Sequence, residues 1–152
     1  MKIRKAETAD LATLLAFEQE IITAERPFDP TLKESYFHYY DIQALIQAEN
    51  AEVLVAEING ELAGSGYAQI REAIDYVKYT QFAYLGFMYV KPDYRGKGVI
   101  QAILEGLKKW ALHRNILEIR LEVYDENLTA KKAYHKAGFA PALLEMRLEL
   151  KK

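Results

Sequence analysis

The sequence contains no cysteine, 3 histidines, 4 prolines and 8 glycines among its 152 residues. Without cysteine there are no disulfides, no zinc–thiolate sites and no thiol nucleophile on which a reacting group could be parked. His38, His113 and His135 share no ligand spacing, so no metal is expected. Neither charge sign is in excess: 20 basic against 22 acidic residues leave a net charge of -2 and no general pull toward a phosphate backbone, so no nucleic-acid partner is expected. No apolar run approaches the ~18 residues that would cross a bilayer. The opening Met1-Lys2-Ile3-Arg4-Lys5 turns charged before a signal-peptide core could form. No membrane partner is therefore expected, and a cytoplasmic location is. What is present is 51% hydrophobic and 12% aromatic residues, which excludes disordered, collagen-like and solenoid compositions. A chain of this length buries roughly two-thirds of its unfolded surface, so a single domain over 1–152 is expected.

Hydrophobic periodicity divides the chain into alternating elements. A strand over 2–6 precedes a helix capped by Thr8, with Leu11, Leu14, Leu15, Ile21 and Ile22 at helical spacing, ending before Pro27. After the turn Arg26-Pro27-Phe28-Asp29-Pro30, a second helix is expected over 32–48. Strands over 52–58 and 62–77 are joined by Asn59-Gly60, a hairpin dipeptide. The run 82–90 is apolar almost throughout and reads as a central strand buried on both faces, with Gly86 marking a bulge. A helix over 98–114 carries the stripe Val99, Ile103, Leu107, Trp110 and Ala111. From Leu117 to Tyr124 apolar residues alternate with Glu118, Arg120, Glu122 and Tyr124. Asn127 caps a short helix ending at Gly138, and 139–150 reads as a last strand. The order β-α-α-β-β-β-α-β-α-β predicts an α/β fold with a mixed central sheet and helices on its faces.

The segment with most chemical content is Val90-Lys91-Pro92-Asp93-Tyr94-Arg95-Gly96-Lys97-Gly98-Val99. It sets two glycines and two cations, Arg95 and Lys97, between a buried strand and a helix N-terminus. Glycines allow close backbone approach, amides aim at ligand oxygens, and the helix dipole adds about half a positive charge, which together suit an anion. The spacing matches neither the ATP-binding P-loop nor the dinucleotide fingerprint.

Arg95-Gly96-Lys97-Gly98-Val99-Ile100 resembles the pyrophosphate loop of the GCN5-related N-acetyltransferase (GNAT) family, Gln/Arg-x-x-Gly-x-Gly/Ala, with Ile100 where Gly or Ala is usual. The family's second signature is matched by Asn127 through Ala130 and Tyr134 to Gly138-Phe139. The resemblance implies a GNAT-like sheet of about six to seven strands with helices on both faces. It also implies acetyl-CoA as cosubstrate in a wedge where the strand ending at Val90 splays from the strand 117–124. The pantetheine arm would then pair with the backbone of Met88, Tyr89 and Val90. The loop from Arg95 through Gly96, Lys97, Gly98 and Val99 to Ile100 would hold the pyrophosphate, and Asn127 would bind the pantetheine from the other side.

Acetyl transfer to a primary amine raises two proton problems. A protonated amine of pKa ~10.4 must lose a proton before it attacks the thioester. Glu122 is the candidate base, because Leu121-Glu122-Val123 resembles the corresponding strand of ribosomal-protein N-terminal acetyltransferases; Tyr84 and bound water are the alternatives. The leaving thiolate needs a donor, and Tyr134 resembles the family's; it stands seven residues after Asn127, on the same helix face. By themselves, Tyr134 reads as a packing aromatic and Glu122 as a solvated charge beside Arg120. Glu25, Asp29 and Tyr84 are expected to wall the acceptor, with Tyr36, Tyr39 and Tyr40 offering cation–π contacts. The acceptor is expected to be a small-molecule amine or a peptide N-terminus, acetylated directly in a ternary complex. A second copy of the chain is a candidate partner. A non-catalytic acyl-CoA sensor or interaction module, with the loop holding some other phosphate, is the rival reading.

Overall fold

The computed structural model describes all residues, Met1–Lys152. They fall into two compact units, Met1–Glu122 and Val123–Lys152. The first holds β1 (Lys2–Lys5), α1 (Leu11–Glu25), α2 (Ile42–Gln47), β2 (Ala51–Ile58), β3 (Glu61–Glu72), β4 (Gln81–Val90), α3 (Val99–His113) and β5 (Ile119–Leu121). The sheet runs in the order β1-β2-β3-β4-β5. The first three pairings are antiparallel and the last is parallel, with α3 as the crossover that a parallel pair requires. β2 and β3 meet at the expected hairpin, where Asn59 and Gly60 take φ of 53° and 76°. The second unit contains α4 (Leu128–Lys136), which begins as expected at Asn127: its side chain accepts from the Ala130 amide at 3.2 Å.

Strand alternation splits the core of the first unit between two faces. Leu14, Phe17 and Ile21 of α1 pack with Ile42, Val53, Val55, Tyr67, Phe87 and Tyr89 in one buried cluster. On the other face the buried stripe Val99, Ile103, Leu104 and Leu107 of α3 covers the sheet. There Gly64 and Gly66 leave the space that Ile103 fills, and Gly106 lies against Leu54. Helices on both faces of a mixed sheet are thus present.

The sheet has five strands rather than six to seven. The alternating segment 139–150 forms neither helix nor strand, because alternation confers strand propensity but a strand exists only when its backbone groups find a partner ladder. β5 is shorter than the expected 117–124, since only Ala83, Tyr84 and Leu85 of β4 pair with it. The helix expected over 32–48 is reduced to Ile42–Gln47. Its first part is held open by the buried Glu18 carboxylate, which accepts the amides of Tyr39 and Tyr40 at 2.9 Å each and removes them from helical bonding. Nor is Thr8 the cap of the first helix. A 3₁₀ turn, Thr8–Asp10, precedes α1, and it is Asp10 that reaches back to accept the Glu7 amide at 2.8 Å.

Asp10 is also gripped by both terminal nitrogens of the Arg4 guanidinium, at 2.8 and 3.0 Å, while Arg4 Nε donates to Glu57 at 2.7 Å. This ties β1, β2 and the start of α1 together. The Arg4 hydrogen bonds hold the Asp10 carboxyl below its usual range despite partial burial. A depressed carboxylate pKa stabilises the fold above the unfolded value, about 3.9, and that stability disappears as pH falls through the folded value. Asp10→Asn should therefore cost about 1.5–3 kcal/mol in urea unfolding at neutral pH, and the gap from the parent protein should close below about pH 4.

Candidate functional site

The central irregularity of the sheet lies in β4. Between Tyr67↔Gly86 and Ser65↔Tyr89, β3 advances two residues while β4 advances three, so β4 carries an extra residue, as the glycine at 86 predicted. Phe87 sits there with φ 58°. Both its backbone groups leave the ladder for side chains: the amide donates to Tyr40 Oη at 3.2 Å, and the carbonyl accepts from Ser65 Oγ at 3.0 Å. The Tyr67 ring occupies the place where a Cβ at Gly86 would stand, 2.6 Å from its atoms. Pairing to β5 ends at Leu85, so from Gly86 through Met88 to Val90 the β5 side of β4 has no ladder. This matches the expected splay. Of the strand residues expected to take cosubstrate, Tyr89 turns its side chain into the α1 face. There it packs on Phe17 with ring centroids 4.6 Å apart, and its hydroxyl donates to Glu20.

β4 runs directly into the glycine loop. Lys91 Nζ and Tyr94 Oη both bond Glu61 at the start of β3, bracing the 3₁₀ turn Pro92–Tyr94 from outside. Arg95 folds back, its Nε donating to the Val90 carbonyl at 3.0 Å. Lys97 Nζ stands 5.7 Å from the Tyr94 ring centre. Gly98, the N-cap of α3, has φ 81°, and Gly96 has φ 73°. A Cβ at either would meet no protein atom within 4 Å, so the requirement for glycine comes from backbone conformation rather than crowding. Val99 is buried under the sheet and Ile100 is half-buried. The first-turn amides of α3 and its dipole are thus presented beside two cations.

Beyond the bulge, the structure gathers tyrosines and carboxylates. Tyr40 lies edge-on to Tyr67 at 5.5 Å, and a cavity of about 300 Å³ is lined by Tyr39, Tyr40, Asp41, Tyr67, Gln69 and Arg71. Arg71 covers the Tyr84 ring, 3.9 Å from its centre. Burial, then the charge of Glu122, pushes the Tyr84 hydroxyl up to about 12. Burial likewise raises Tyr40 and Tyr67. Glu122 stands just past the last residue of β5 and is exposed. It is not the partner of Arg120, which pairs with Glu118 at 2.7 Å and lies 4.0 Å over the Phe82 ring. Glu25 is raised chiefly by burial, its hydrogen bond to Tyr39 working the other way and the Asp29 charge adding to the rise. Asp29 is buried and accepts from the Thr31 amide and hydroxyl at 3.0 and 2.5 Å. Glu122 and Tyr84 are therefore brought together with Tyr67 and Arg71, and Glu25 with Asp29 and Tyr39. Tyr36 is not among them: it is 73% exposed and packs on His38.

Two candidate residues belong to the second unit. Asn127 spends its side-chain oxygen on the α4 cap, and Tyr134, two turns on, lies edge-on to Phe139 with centroids 6.0 Å apart.

Sequence reasoning missed Glu18, Tyr67 and Arg71. Glu18 is fully buried on α1 and also holds His38 Nδ1 at 2.6 Å, so one carboxylate fixes the course of the chain through residues 38–40. A signal existed: Glu18 falls three and four residues from Leu14, Leu15, Ile21 and Ile22, on the apolar stripe itself. For Tyr67 and Arg71 there was none beyond strand alternation.

A family model described as "Acetyltransferase (GNAT) family" matches residues 16–139. An aminoglycoside N(6')-acetyltransferase type 1 from Stenotrophomonas maltophilia is 32% identical over 100 residues, 64% of this chain and 64% of that one. The match thus spans somewhat less than two-thirds of that relative's length. Among solved structures, a mutant protein from Bacillus halodurans superposes with a TM-score of 0.90 at 22% identity, covering 99% of this chain and 100% of that one. A predicted acetyltransferase with acetyl-CoA from Clostridium acetobutylicum gives 0.74 at 20% identity, covering 97% and 95%.

The Glu18 grip can be tested without any ligand. Replacing the charged acceptor of two amides and an imidazole should cost about 1.5–3 kcal/mol or more, since hydrogen bonds to a charged group are the strong ones. Glu18→Gln should lower the unfolding free energy by that amount and speed amide exchange at Tyr39 and Tyr40, leaving exchange in β2 and β3 tracking global stability alone.

Proposed function

The chain belongs to the GNAT acetyltransferase family, and from that premise we propose that it moves an acetyl group from acetyl-CoA directly to a primary amine within a ternary complex. The observation that carries this reading is the release of β4 from β5 beyond Leu85, next to a loop whose two glycines hold positive φ at the start of α3. An extended pantetheine can take up the ladder positions of Met88 to Val90, and the pyrophosphate can meet the amides from Gly96 to Ile100 with Arg95 and Lys97 beside them. Asn127 is a proposed pantetheine contact. The chain has no cysteine, so the acetyl group has no thiol of the protein on which to rest.

Glu122 is the proposed base. Tyr84, pushed up to about 12, keeps its proton at neutral pH and serves instead as a donor to Glu122 and a wall of the acceptor site. A carboxylate is a weak base for a lysine-type amine, so a water relay from Glu122, or an acceptor of lower pKa, completes the step. Tyr134 is the proposed hydrogen-bond donor to the departing thiolate. The acceptor is a small cationic amine or a peptide α-amine. Glu25, Asp29 and Glu122 supply negative charge, and Tyr39, Tyr40 and Tyr84 supply aromatic faces. The relative named as an aminoglycoside acetyltransferase favours the small-molecule amine.

Binding and chemistry separate cleanly by mutation. Gly98→Val forces a β-branched residue into the left-handed region and should weaken CoA at least tenfold by calorimetry, about 1.4 kcal/mol, whereas Ile100→Gly should leave affinity unchanged or improved. Tyr134→Phe and Glu122→Gln should each lower kcat with CoA affinity intact. Thiol release should be followed with aminoglycosides, polyamines and peptides whose free amine is either α or ε. A trapped acetyl-enzyme, or CoA binding with no turnover of any amine, would overturn the scheme; the latter would leave the sensor reading.

A further inference from the structure

The sheet beside the cavity carries two arginines, and only one of them is paired with an acid. Tyr67, Gln69 and Arg71 alternate onto one face of β3, opposite Gly86, Tyr84 and Phe82 of β4, and Tyr84 in turn stands opposite Arg120 of β5. Both guanidiniums lie over rings of β4: Arg120 is 4.0 Å from the centre of Phe82, and Arg71 is 3.9 Å from that of Tyr84. Arg120 pairs with Glu118 at 2.7 Å, as Arg4 pairs with Asp10 and Glu57. Arg71 has neutral neighbours instead. Its Nε donates to Gln69 Oε1 at 3.1 Å, and it stands beside Tyr67, whose hydroxyl burial pushes up and the Arg71 charge draws back. The adjacent carboxylate, Glu72, alternates to the opposite face of β3 and accepts from Gln81 Nε2 at 2.8 Å.

A guanidinium holds its N–H donors in a planar fork that matches a carboxylate. Gln69 takes Nε of Arg71, and the two Nη groups are left for a neutral neighbour such as Tyr67 or for an anion. Tyr84 joins this cation to a negative charge, because its ring faces Arg71 while its hydroxyl bonds the Glu122 carboxylate. One tyrosine therefore separates a positive from a negative group. A molecule of the opposite polarity lying across it meets both, its ammonium at Glu122 and its anion at Arg71. The single ring sets the spacing, so the two groups of that molecule are only a few bonds apart. The cavity that Arg71 lines, about 300 Å³, stands at the small end of ligand sites, and the Asp41 Oδ1 within it is already spent on the Ala44 amide at 3.1 Å. We propose that Arg71 binds a carboxylate carried by the amine acceptor, so that the acceptor is an amino acid or a similarly short amino-carboxylate. This rests on the acetyl-transfer reading and narrows the acceptor within it.

The test compares amines that differ only in the carboxylate. Thiol release from acetyl-CoA is followed for a set of α- and β-amino acids, for the carboxamide of each, and for the amine in which hydrogen replaces the carboxylate. The acids should exceed both neutral analogues at least tenfold in kcat/KM. An α-amine next to an amide has a pKa of only ~7.7–8.0 and deprotonates readily, so amine basicity alone would not favour the acid. Arg71→Ala should raise the KM of the acids at least tenfold and close the gap to their neutral analogues, with CoA affinity by calorimetry reporting that the variant is folded. Arg71→Lys, which keeps the charge without the fork, should recover part of the loss. Neutral analogues turned over as well as the acids, or acids whose KM is indifferent to Arg71→Ala, would overturn the proposal and leave acetyl transfer standing. No turnover of any amine would overturn both.

Discussion

One extra residue in β4 sets the working geometry of the first unit. An antiparallel ladder that stayed in register through Phe87 would carry β4 straight past β3, and nothing would detach its second half from β5. The bulge at Gly86–Phe87 changes this, and it persists because three separate elements satisfy it: Ser65 on β3 takes the carbonyl, Tyr40 ahead of α2 takes the amide, and the Tyr67 ring fills the space beside Gly86. A residue in the left-handed region costs of order 1–2 kcal/mol when it is not glycine. The aromatic cluster of Phe87 with Tyr40, Tyr67 and the α1 face offsets that strain by burying the Phe87 ring completely. The same tyrosines that hold the bulge line the neighbouring cavity, so the wall of that cavity and the kink in the strand share side chains.

The elements most legible in the sequence were those whose signals are local. The Asn59-Gly60 hairpin, the Asn127 cap, the stripe of α3 and the glycine at the bulge each follow from a backbone requirement or a period that a few residues reveal. The left-handed glycines at 96 and 98 were legible for the same reason. What was not legible depends on contacts distant in sequence. The segment 32–41 has helical periodicity but surrenders its helix to Glu18, some twenty residues earlier. The end of β5 at Leu121 is decided by where β4 turns away, and the last segment's failure to join the sheet by the lack of a ladder. Among the candidate site residues, Glu122 and Tyr84 were singled out through the family pattern, and the structure adds that they interact and that Arg120 is engaged elsewhere.

Charge is handled differently on the two sides of the glycine loop. Around it, Glu61 ties down Lys91 and Tyr94 and leaves Arg95 and Lys97 outside any ion pair with a carboxylate. Around the cavity, Asp41 and Glu122 are exposed, Glu25 is half-buried and Asp29 buried, and Arg71 lies over the Tyr84 ring. Under the proposed function, the first set of charges would attract an anionic cosubstrate and the second a cationic acceptor.

The Glu18 grip has a consequence for how the first unit opens. Residues 29–41 carry no helix or strand of their own, and the amides of Tyr39 and Tyr40 are fixed by one side chain rather than by a cooperative ladder. Helices melt from their ends with graded cost, but a tethered loop releases when its anchor lets go. Detachment of this segment therefore needs no loss of sheet structure, and it takes Tyr40 away from the Phe87 amide in the same event. The Glu18 carboxylate, with Gln19 holding the Phe37 carbonyl beside it, thus links the course of this stretch to the left-handed turn of Phe87 that Tyr40 caps.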